Sequence, residues 1–148
     1  MRLLTNLIER LHRKRPLLSE LETLILSSVR RELTIDLVAL WDKQVEIINK
    51  VQRLPAGVEV NFYRMKDGFP SFPAELAFPN RTEELLLAVV VISVIDFSYK
   101  LSAKVWCVRG FLFSIEYDSS PKYFEELLGV EEKSASILIE CTIAADFV

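Results

Sequence analysis

The spacing of the apolar side chains changes near residue 57, and no other feature of the sequence constrains the fold as strongly. Before this point apolar residues recur every three or four positions, as on one face of a helix. After it they alternate with polar residues, as in a strand that is buried on one side. We therefore predict an α+β fold in which N-terminal helices pack on an antiparallel sheet of about five to six strands.

Size and composition favour one domain. The chain has 148 residues, of which 51% are hydrophobic and 26% are charged. This composition is apolar enough for one packed core and too charged for a bundle of membrane helices. The prediction is a single domain over residues 1–148, with a helical part at 1–55 and a mainly antiparallel sheet at 57–148.

The helical part contains three apolar stripes. The first covers residues 3–11 among basic side chains, and we interpret it as the opening helix of the fold, with a helix lying on an anionic membrane as the alternative. The second begins at Ser19 and Glu22, which have the spacing of a capping box. The third covers residues 37–51, and Thr34 before it favours two helices over one long helix because threonine can cap a helix.

Alternating segments define the strands of the sheet. Residues 85–95 are almost continuously apolar, which predicts a central strand covered on both faces. Prolines in residues 69–73 predict a loop or an edge approach, because proline donates no hydrogen bond to a sheet. Pro121 suits the first position of a short helix that ends at Gly129. The strands predicted in chain order cover residues 58–63, a short edge at 75–78, 85–95, 97–107, 111–117 and 137–143, with turns at 67–68 and 109–110.

No cofactor or metal motif is visible in the sequence. His12 is the only histidine, so a Ser-His-Asp triad, a Cys-His pair or a multi-histidine metal site would have to include it. The four glycines lie at predicted turns or helix ends rather than in a phosphate-binding loop. We therefore predict no cofactor, no metal ion and no catalytic residue.

The cysteines and the hydropathy predict a cytoplasmic protein without membrane insertion. Cys107 and Cys141 lie in apolar segments, where a free thiol packs as a small hydrophobic group. A disulfide between neighbouring strands is the alternative. No signal peptide is visible, and the longest apolar run, at residues 85–95, is shorter than the roughly 20 residues of a spanning helix.

The charge is distributed unevenly along the chain. Residues 1–31 carry a net charge of +4 and residues 32–148 a net charge of −7. An acidic sheet region argues against nucleic-acid binding, which depends on clustered lysine and arginine. It suits a basic protein partner, because complementary charge raises the rate and the specificity of association.

Six residues on the predicted strands and turns are the candidates for a pocket or an interface: Tyr63, Arg64, Tyr99, Trp106, Arg109 and Glu116. For Arg64, Arg109 and Glu116 the simpler hypothesis is a cross-strand ion pair, which contributes little when it is exposed.

An enzyme without a cofactor would need two carboxylates to converge in a cleft, whereas carboxylates at alternate strand positions usually form a solvated face. The candidates for that role are Glu59, Asp96, Glu116 and Glu140.

Aromatic residues support a further hypothesis, a small-molecule site. Helices over a curved antiparallel sheet often enclose a pocket. The residues that would line it are Phe62, Tyr63, Tyr99 and Trp106. The three hypotheses are therefore a protein-interaction domain, a small-molecule-binding domain and a cofactor-free enzyme that uses carboxylate and tyrosine groups.

Residues 105–121, with the sequence VWCVRGFLFSIEYDSSP, have the most distinctive pattern in the chain. This segment resembles the strand, turn, strand and short helix of small bacterial immunity-type proteins and related uncharacterised proteins encoded near polymorphic toxins. A helix over residues 44–53 that leads into a strand at 58–64 adds to the resemblance. The resemblance implies a non-catalytic protein that binds and neutralises a toxin, and the acidic sheet region would suit a basic toxin such as a nuclease.

Overall fold

The computed structural model describes residues 16–134, 136–144 and 147, and these form a helical layer on an antiparallel sheet, which confirms the predicted fold class. The helices are α1 (Glu20–Glu32), α2 (Ile35–Ile47), α3 (Lys122–Leu128) and α4 (Glu131–Ser134). The strands are β1 (Lys50–Arg53), β2 (Glu59–Tyr63), β3 (Met65–Lys66), β4 (Phe69–Pro70), β5 (Leu85–Val94), β6 (Phe97–Val108), β7 (Phe111–Tyr117) and β8 (Ile137–Ile143). The helix predicted at 3–11 and His12 lie outside the described residues.

α1 begins at the predicted capping box. The Ser19 hydroxyl oxygen accepts from the backbone N–H of Glu22 at 3.1 Å, and the Glu22 carboxylate accepts from the backbone N–H of Ser19 at 2.8 Å. These bonds satisfy N–H groups that the first turn of a helix leaves unpaired. Leu21, Ile25 and Val29 lie in the core with at most 1% of their surface exposed, so α1 contributes one apolar stripe to the core.

The break between α1 and α2 confirms the prediction of two helices. Leu33 is extended after the end of α1, and Thr34 takes the N-cap position of α2 with an extended backbone. The Thr34 side chain makes no capping hydrogen bond within the described part of the chain. The extended backbone, rather than a side-chain bond, therefore marks the start of α2.

α2 is shorter than predicted. It ends at Ile47, and Lys50–Arg53 is the edge strand β1, so the helix predicted to continue to residues 51–53 is wrong and the sheet begins before residue 57. Ile48 and Val51 are three residues apart, which is also the spacing of one helix face. In the structure, however, the backbone of β1 forms hydrogen bonds with β2, and the Val51 side chain packs against the core. In a segment of only four residues, the spacing of apolar side chains cannot distinguish a strand from the last turn of a helix.

The main sheet formed by the described residues has the strand order β1-β2-β7-β6-β5-β8, and every neighbouring pair is antiparallel. β5 is an inner strand, as predicted. Only one face of β5 is fully buried. Ala88, Val90 and Ile92 on this face are 0% exposed, whereas Val89 and Val91 on the other face of the same strand are half-buried. The prediction that this strand is covered on both faces is therefore wrong.

Two short strands follow β2 in a separate ribbon. β3 pairs with β4 around the turn predicted at residues 67–68. β4 contains Pro70, and each strand of the ribbon is only two residues long. This arrangement agrees with the edge approach predicted from the prolines.

The edge strand predicted at residues 75–78 is wrong. Ala74–Leu76 forms a single 3-10 turn, and Phe78 beyond it is fully buried. The N–H of Phe78 donates to the Gly110 carbonyl oxygen at 2.8 Å, so this segment packs against the β6–β7 turn. Gly110 has a φ of +89°, and a Cβ at this position would lie 2.9 Å from the Phe78 carbonyl oxygen, so only glycine fits here without strain.

The C-terminal part follows the predicted order of a hairpin, a short helix and a last strand. β6 and β7 pair with a register shift between Trp106 and Cys107. α3 follows Pro121, which takes the N-cap position rather than the predicted first helical position. α4 is an additional short helix, and β8 pairs with β5 as the last strand.

The core lies between the helices and one face of the sheet. Its large buried side chains come from both layers and include Trp41, Phe62, Phe78, Leu101, Ile115 and Phe124. None of the described helices has both the length and the apolar content that crossing a bilayer requires.

Candidate functional site

The register of the sheet separates an inner face from an outer face. One cross-strand row contains Val60, Ile115, Val105 and Ala88, each at most 2% exposed, and belongs to the same core as the buried side chains of α1 and α2. Because successive side chains of a strand point to opposite faces, the neighbours of Val60, Ile115 and Val105 in sequence form the outer face. Glu116 on that face is exposed to solvent.

One row of the outer face crosses five strands. From β1 to β5 it contains Gln52, Asn61, Ser114, Trp106 and Leu86, each the cross-strand partner of the next. Asn61 and Ser114 are only 8% and 4% exposed although they are polar. Trp106 and Leu86 are half-buried. The row therefore places hydrogen-bonding groups beside an aromatic and an aliphatic surface.

Asn61 differs from the other buried polar residues. Its Oδ1 atom is buried and has no hydrogen-bond partner among the described residues. Buried polar atoms are nearly always paired, because an unpaired one costs about 1–3 kcal/mol. Asn61 Oδ1 is therefore an unpaired acceptor that a donor could satisfy if the Asn61 side chain turned towards it.

The adjacent outer row places two carboxylates opposite each other. Glu59 on β2 is the cross-strand partner of Glu116 on β7, and Glu116 is also the partner of Lys104 on β6. Like charges directly opposite each other destabilise a sheet. The ion pairs within the described residues are Arg30–Asp42, Arg53–Glu22 and Arg109–Glu83. In that part of the chain, neither Glu59 nor Glu116 has a cation within ion-pair distance.

Three of the six predicted site residues share the outer face. They are Tyr63 on β2, Trp106 on β6 and Glu116 on β7. The Tyr63 hydroxyl group donates to Gln52 Oε1 at 3.3 Å, and the Tyr63 ring meets the ring of Phe113 edge-on, with centroids 5.5 Å apart. Tyr63 is thereby held against the end of the outer row.

Arg64 and Arg109 have other partners. Arg64 donates to the Ser71 carbonyl oxygen at 2.9 Å. Arg109, in the β6–β7 turn, pairs with Glu83 at 3.1 Å, and both side chains are largely exposed. The cross-strand ion pairs considered for Arg64, Arg109 and Glu116 therefore do not form within residues 16–134, 136–144 and 147.

The four aromatic residues predicted to line one pocket are on different sides of the sheet. Phe62 is fully buried in the core, whereas Tyr63 and Trp106 are on the outer face. Tyr99 lies near the other end of β6, where its hydroxyl oxygen is 3.3 Å from Ser119 Oγ. The predicted pocket between helices and sheet is therefore not formed by these residues, because the core is filled at Phe62.

A separate aromatic groove of about 570 Å³ lies beside α3 and is lined by Phe97, Ser98, Tyr99 and Tyr123. The rings of Phe97 and Tyr123 are stacked with centroids 6.0 Å apart, and Tyr99 stacks on Phe124 at 5.6 Å. The groove offers flat apolar surfaces and a hydroxyl group, which suits a small apolar molecule.

The other two carboxylate candidates do not join Glu59 and Glu116. Asp96 is exposed in the β5–β6 turn, and Glu140 is exposed on the edge strand β8. The described residues contain no group of three or more His, Cys, Asp or Glu side chains that could hold a metal ion. Among these four candidates, Glu59 and Glu116 are the cross-strand pair, and they lie on the outer face of the sheet rather than in a cleft.

Cys107 and Cys141 are free thiols on β6 and β8. β5 lies between these strands, so the cysteines are not on neighbouring strands and the alternative of a disulfide is wrong. Burial raises the pKa of Cys107 to about 12 and is the main cause that raises the pKa of Cys141 to about 11. Both groups are therefore protonated thiols at neutral pH, which makes them poor nucleophiles.

Sequence reasoning missed the polar residues that the fold buries. Asn61 lies in the strand predicted at 58–63 and Gln44 in the helix predicted over 44–53, and neither prediction includes the burial of these polar side chains. A signal for Gln44 does exist, because Trp41, Gln44 and Ile48 have the spacing of one helix face and all three are buried. Asn61 has no local signal, since its burial depends on side chains from other strands.

No protein-family model matches this chain. No curated protein and no solved structure matches it either. The functional argument therefore depends on the geometry and the charge of the chain's own residues.

Proposed function

We propose that this chain is a non-catalytic protein-interaction domain that binds a partner protein on the outer face of its sheet. The observation that carries the proposal is the outer row through Asn61, Ser114 and Trp106, in which buried polar groups adjoin a half-buried tryptophan. Protein interfaces concentrate their binding energy at such places, where a large aromatic side chain and a few hydrogen-bonding groups are shielded from water.

The surroundings of this row also support the proposal. Lys50, Glu59, Lys104 and Glu116 flank it on the same face of the sheet. All four side chains are at least partly exposed. A charged rim around an aromatic centre is the usual anatomy of a surface that binds another protein reversibly.

The partner under this proposal is a basic protein. Residues 32–148 carry a net charge of −7, and complementary charge accelerates association and suppresses wrong partners. The resemblance of residues 105–121 to immunity-type proteins implies that this partner is a bacterial toxin. The protein would then act in the bacterial cytoplasm and neutralise the toxin by occupying its surface.

The test uses the purified full chain and the toxin-like protein encoded beside its gene, with affinity measured by isothermal titration calorimetry. Trp106→Ala should weaken binding at least about tenfold, because truncation of a central aromatic residue typically costs more than about 1.4 kcal/mol. Ile35→Ala is the matched control, because Ile35 is an apolar residue that is 88% exposed at the start of α2.

Unchanged affinity in Ile35→Ala together with weakened binding in Trp106→Ala supports the proposal, provided that circular dichroism shows both variants folded. Full affinity in Trp106→Ala would overturn it. A gene neighbourhood without any toxin-like reading frame would count against a toxin as the partner.

A second candidate function is small-molecule binding in the aromatic groove beside α3. Its volume of about 570 Å³ is within the range of about 300–1,000 Å³ that is typical of ligand pockets. A fluorescent anilinonaphthalene sulfonate probe should bind the wild-type chain and Trp106→Ala equally, and should bind Tyr123→Ala much more weakly. Equal binding by Tyr123→Ala would remove this candidate.

A further inference from the structure

We infer that the outer face binds the guanidinium group of an arginine side chain from its partner, at a block formed by Glu59, Asn61, Ser114 and Glu116. These four residues are two adjacent cross-strand pairs on β2 and β7, and we name them the cation site. The inference rests on the proposed function, since it names the chemical group that the partner presents to the outer face.

The two carboxylates supply the charge of the cation site. Glu59 and Glu116 are direct cross-strand partners, so their Cβ atoms lie about 4.5–5.5 Å apart. Their negative charges repel each other at this spacing, and neither has an ion-pair partner within the described part of the chain. A bound cation removes this repulsion and adds charge-assisted hydrogen bonds.

Asn61 supplies an acceptor that points independently to a bound donor. It lies two residues from Glu59 on the same face of β2 and is 8% exposed. Its buried Oδ1 atom has no partner among the described residues. Folding has already removed this atom from water, and an incoming N–H group reaches it once the Asn61 side chain turns. The hydrogen bond then formed satisfies an acceptor that is otherwise unpaired.

The choice of guanidinium over ammonium follows from the arrangement of the acceptors. Acceptors of the cation site lie on two strands, with Asn61 and Glu59 on β2 and Glu116 on β7. A guanidinium group has five N–H donors in a fixed plane and can bond a carboxylate and a carbonyl oxygen at the same time. An ammonium group has three donors on one compact centre, so it should bind here more weakly.

Two side chains on β6 adjoin the cation site. Trp106 is the cross-strand partner of Ser114, and its indole ring offers a surface for stacking a guanidinium plane. Lys104 is the cross-strand partner of Glu116, and the Lys104 ammonium group is not within ion-pair distance of any described carboxylate. Its charge weakens the negative potential of the site without occupying it.

The test is a titration of the isotope-labelled full chain with Nα-acetylarginine amide, followed by nuclear magnetic resonance at constant ionic strength. The expected result is saturable shift changes at the Asn61 side-chain amide and the Trp106 indole N–H. The neutral analogue Nα-acetylcitrulline amide should cause no saturable change at these groups. Nα-acetyllysine amide should bind several-fold more weakly than the arginine compound.

Charge variants with matched controls locate the binding. Glu59→Gln combined with Glu116→Gln should weaken binding of the arginine compound at least about tenfold. Glu126→Gln combined with Glu132→Gln, which removes the same charge from exposed positions on α3 and α4, should leave the affinity unchanged. Lys104→Gln should strengthen binding at least about twofold, because it removes a competing positive charge.

Equal responses to the arginine and citrulline compounds would overturn the cation site, as would full affinity in the Glu59→Gln/Glu116→Gln variant. The partner titration distinguishes this failure from a failure of the proposed function. Partner binding that is weakened by Trp106→Ala but unaffected by Glu59→Gln/Glu116→Gln would reject the cation site and retain the interface.

Discussion

Glu22 on α1 and Arg53 on β1 form a bidentate ion pair, with Arg53 Nη2 at 2.7 Å from Glu22 Oε1 and Arg53 Nε at 2.9 Å from Glu22 Oε2. The Glu22 side chain is 3% exposed and also accepts from the Ser19 N–H. One carboxylate therefore completes the capping box of α1 and joins this helix to an edge strand of the sheet.

Arg53→Met should lower the free energy of unfolding by about 2 kcal/mol, because the Glu22 carboxylate stays buried without its cation. This value is below the range for a fully buried pair, since the Arg53 side chain is 44% exposed. Urea denaturation at pH 7 measures the change. Arg30→Met breaks the exposed pair with Asp42 and is the control, for which little change is expected. Equal losses in both variants would contradict the burial of Glu22.

Gln44→Leu should lower the free energy of unfolding by about 3 kcal/mol. It leaves the Leu76 carbonyl oxygen and the Leu112 N–H without their Gln44 partner, and it removes one of the two hydrogen bonds to the Gly110 carbonyl oxygen. Gln44 is 1% exposed. Its Nε2 donates to the carbonyl oxygens of Leu76 and Gly110 at 2.7 and 3.0 Å, and its Oε1 accepts from the Leu112 N–H at 2.9 Å. Thermal and urea unfolding measure the loss, and the exposed neighbour variant Lys43→Leu should be close to wild type. A stable Gln44→Leu variant would show that these bonds are not made.

Gly110→Ala should be more destabilising than Gly68→Ala, although both glycines have positive φ angles of +89° and +83°. At residue 110 a Cβ would lie 2.9 Å from the Phe78 carbonyl oxygen, whereas at residue 68 nothing lies within 4 Å. We expect a loss of about 1 kcal/mol from backbone strain alone in Gly68→Ala. The added contact should bring the loss to at least about 2 kcal/mol in Gly110→Ala. Similar unfolding midpoints for the two variants would contradict the packing of Phe78 on this turn.

The parts of the fold that the sequence predicted correctly are those with local causes. The capping box at Ser19 and Glu22 and the turn at Gly110 depend on a few consecutive residues. The strand at Lys50–Arg53 was not predicted, because it forms through hydrogen bonds with β2, a separate segment of the chain. This pairing overrides the helical spacing of apolar residues that ends at Val51. Long elements with many repeats of one period were therefore predicted better than short ones.

The candidate site was only partly predictable for the same reason. Trp106 and Glu116 were candidates from their place on an amphipathic hairpin. Glu59 was one of four carboxylates, and its pairing with Glu116 follows from the register of two strands that are far apart in the sequence. The burial of Asn61 depends on that same register, so no local pattern indicates it.

Cys107 should make the folded protein less stable in alkali. Burial raises the pKa of its thiol from 9.0 to about 12, so above about pH 9 the unfolded state releases a proton that the folded state keeps. The Cys107 thiol should therefore contribute nothing to the pH dependence below about pH 9, and above it this thiol alone should lower the free energy of unfolding by about 1.4 kcal/mol per pH unit, up to about pH 12. Cys141 and Tyr117, whose pKa values burial also raises, add to the fall.

Urea denaturation at steps between pH 8 and pH 11 measures this dependence. Cys107→Ala should flatten the slope above about pH 9, because it removes one of the groups that titrate differently in the two states. An identical slope in Cys107→Ala and the wild type would mean that the thiol is not protected from ionisation in the fold.

The partly exposed Trp106 on the outer face lies beside the two carboxylates that we propose attract a cation. Quenching of tryptophan fluorescence tests its exposure and this attraction without a partner. Trp41→Phe leaves Trp106 as the only tryptophan, and Trp106→Phe leaves Trp41, which is 2% exposed. The quenchers are acrylamide, caesium and iodide, each normalised to N-acetyltryptophanamide at constant ionic strength.

Acrylamide should quench Trp106 several-fold more efficiently than Trp41. Caesium should quench Trp106 less efficiently in Glu59→Gln/Glu116→Gln than in a chain that keeps both carboxylates, because these two carboxylates lie on the same face as Trp106 and attract the cation. Protection of Trp106 equal to that of Trp41, or caesium quenching of Trp106 that is the same with and without the two carboxylates, would contradict this arrangement.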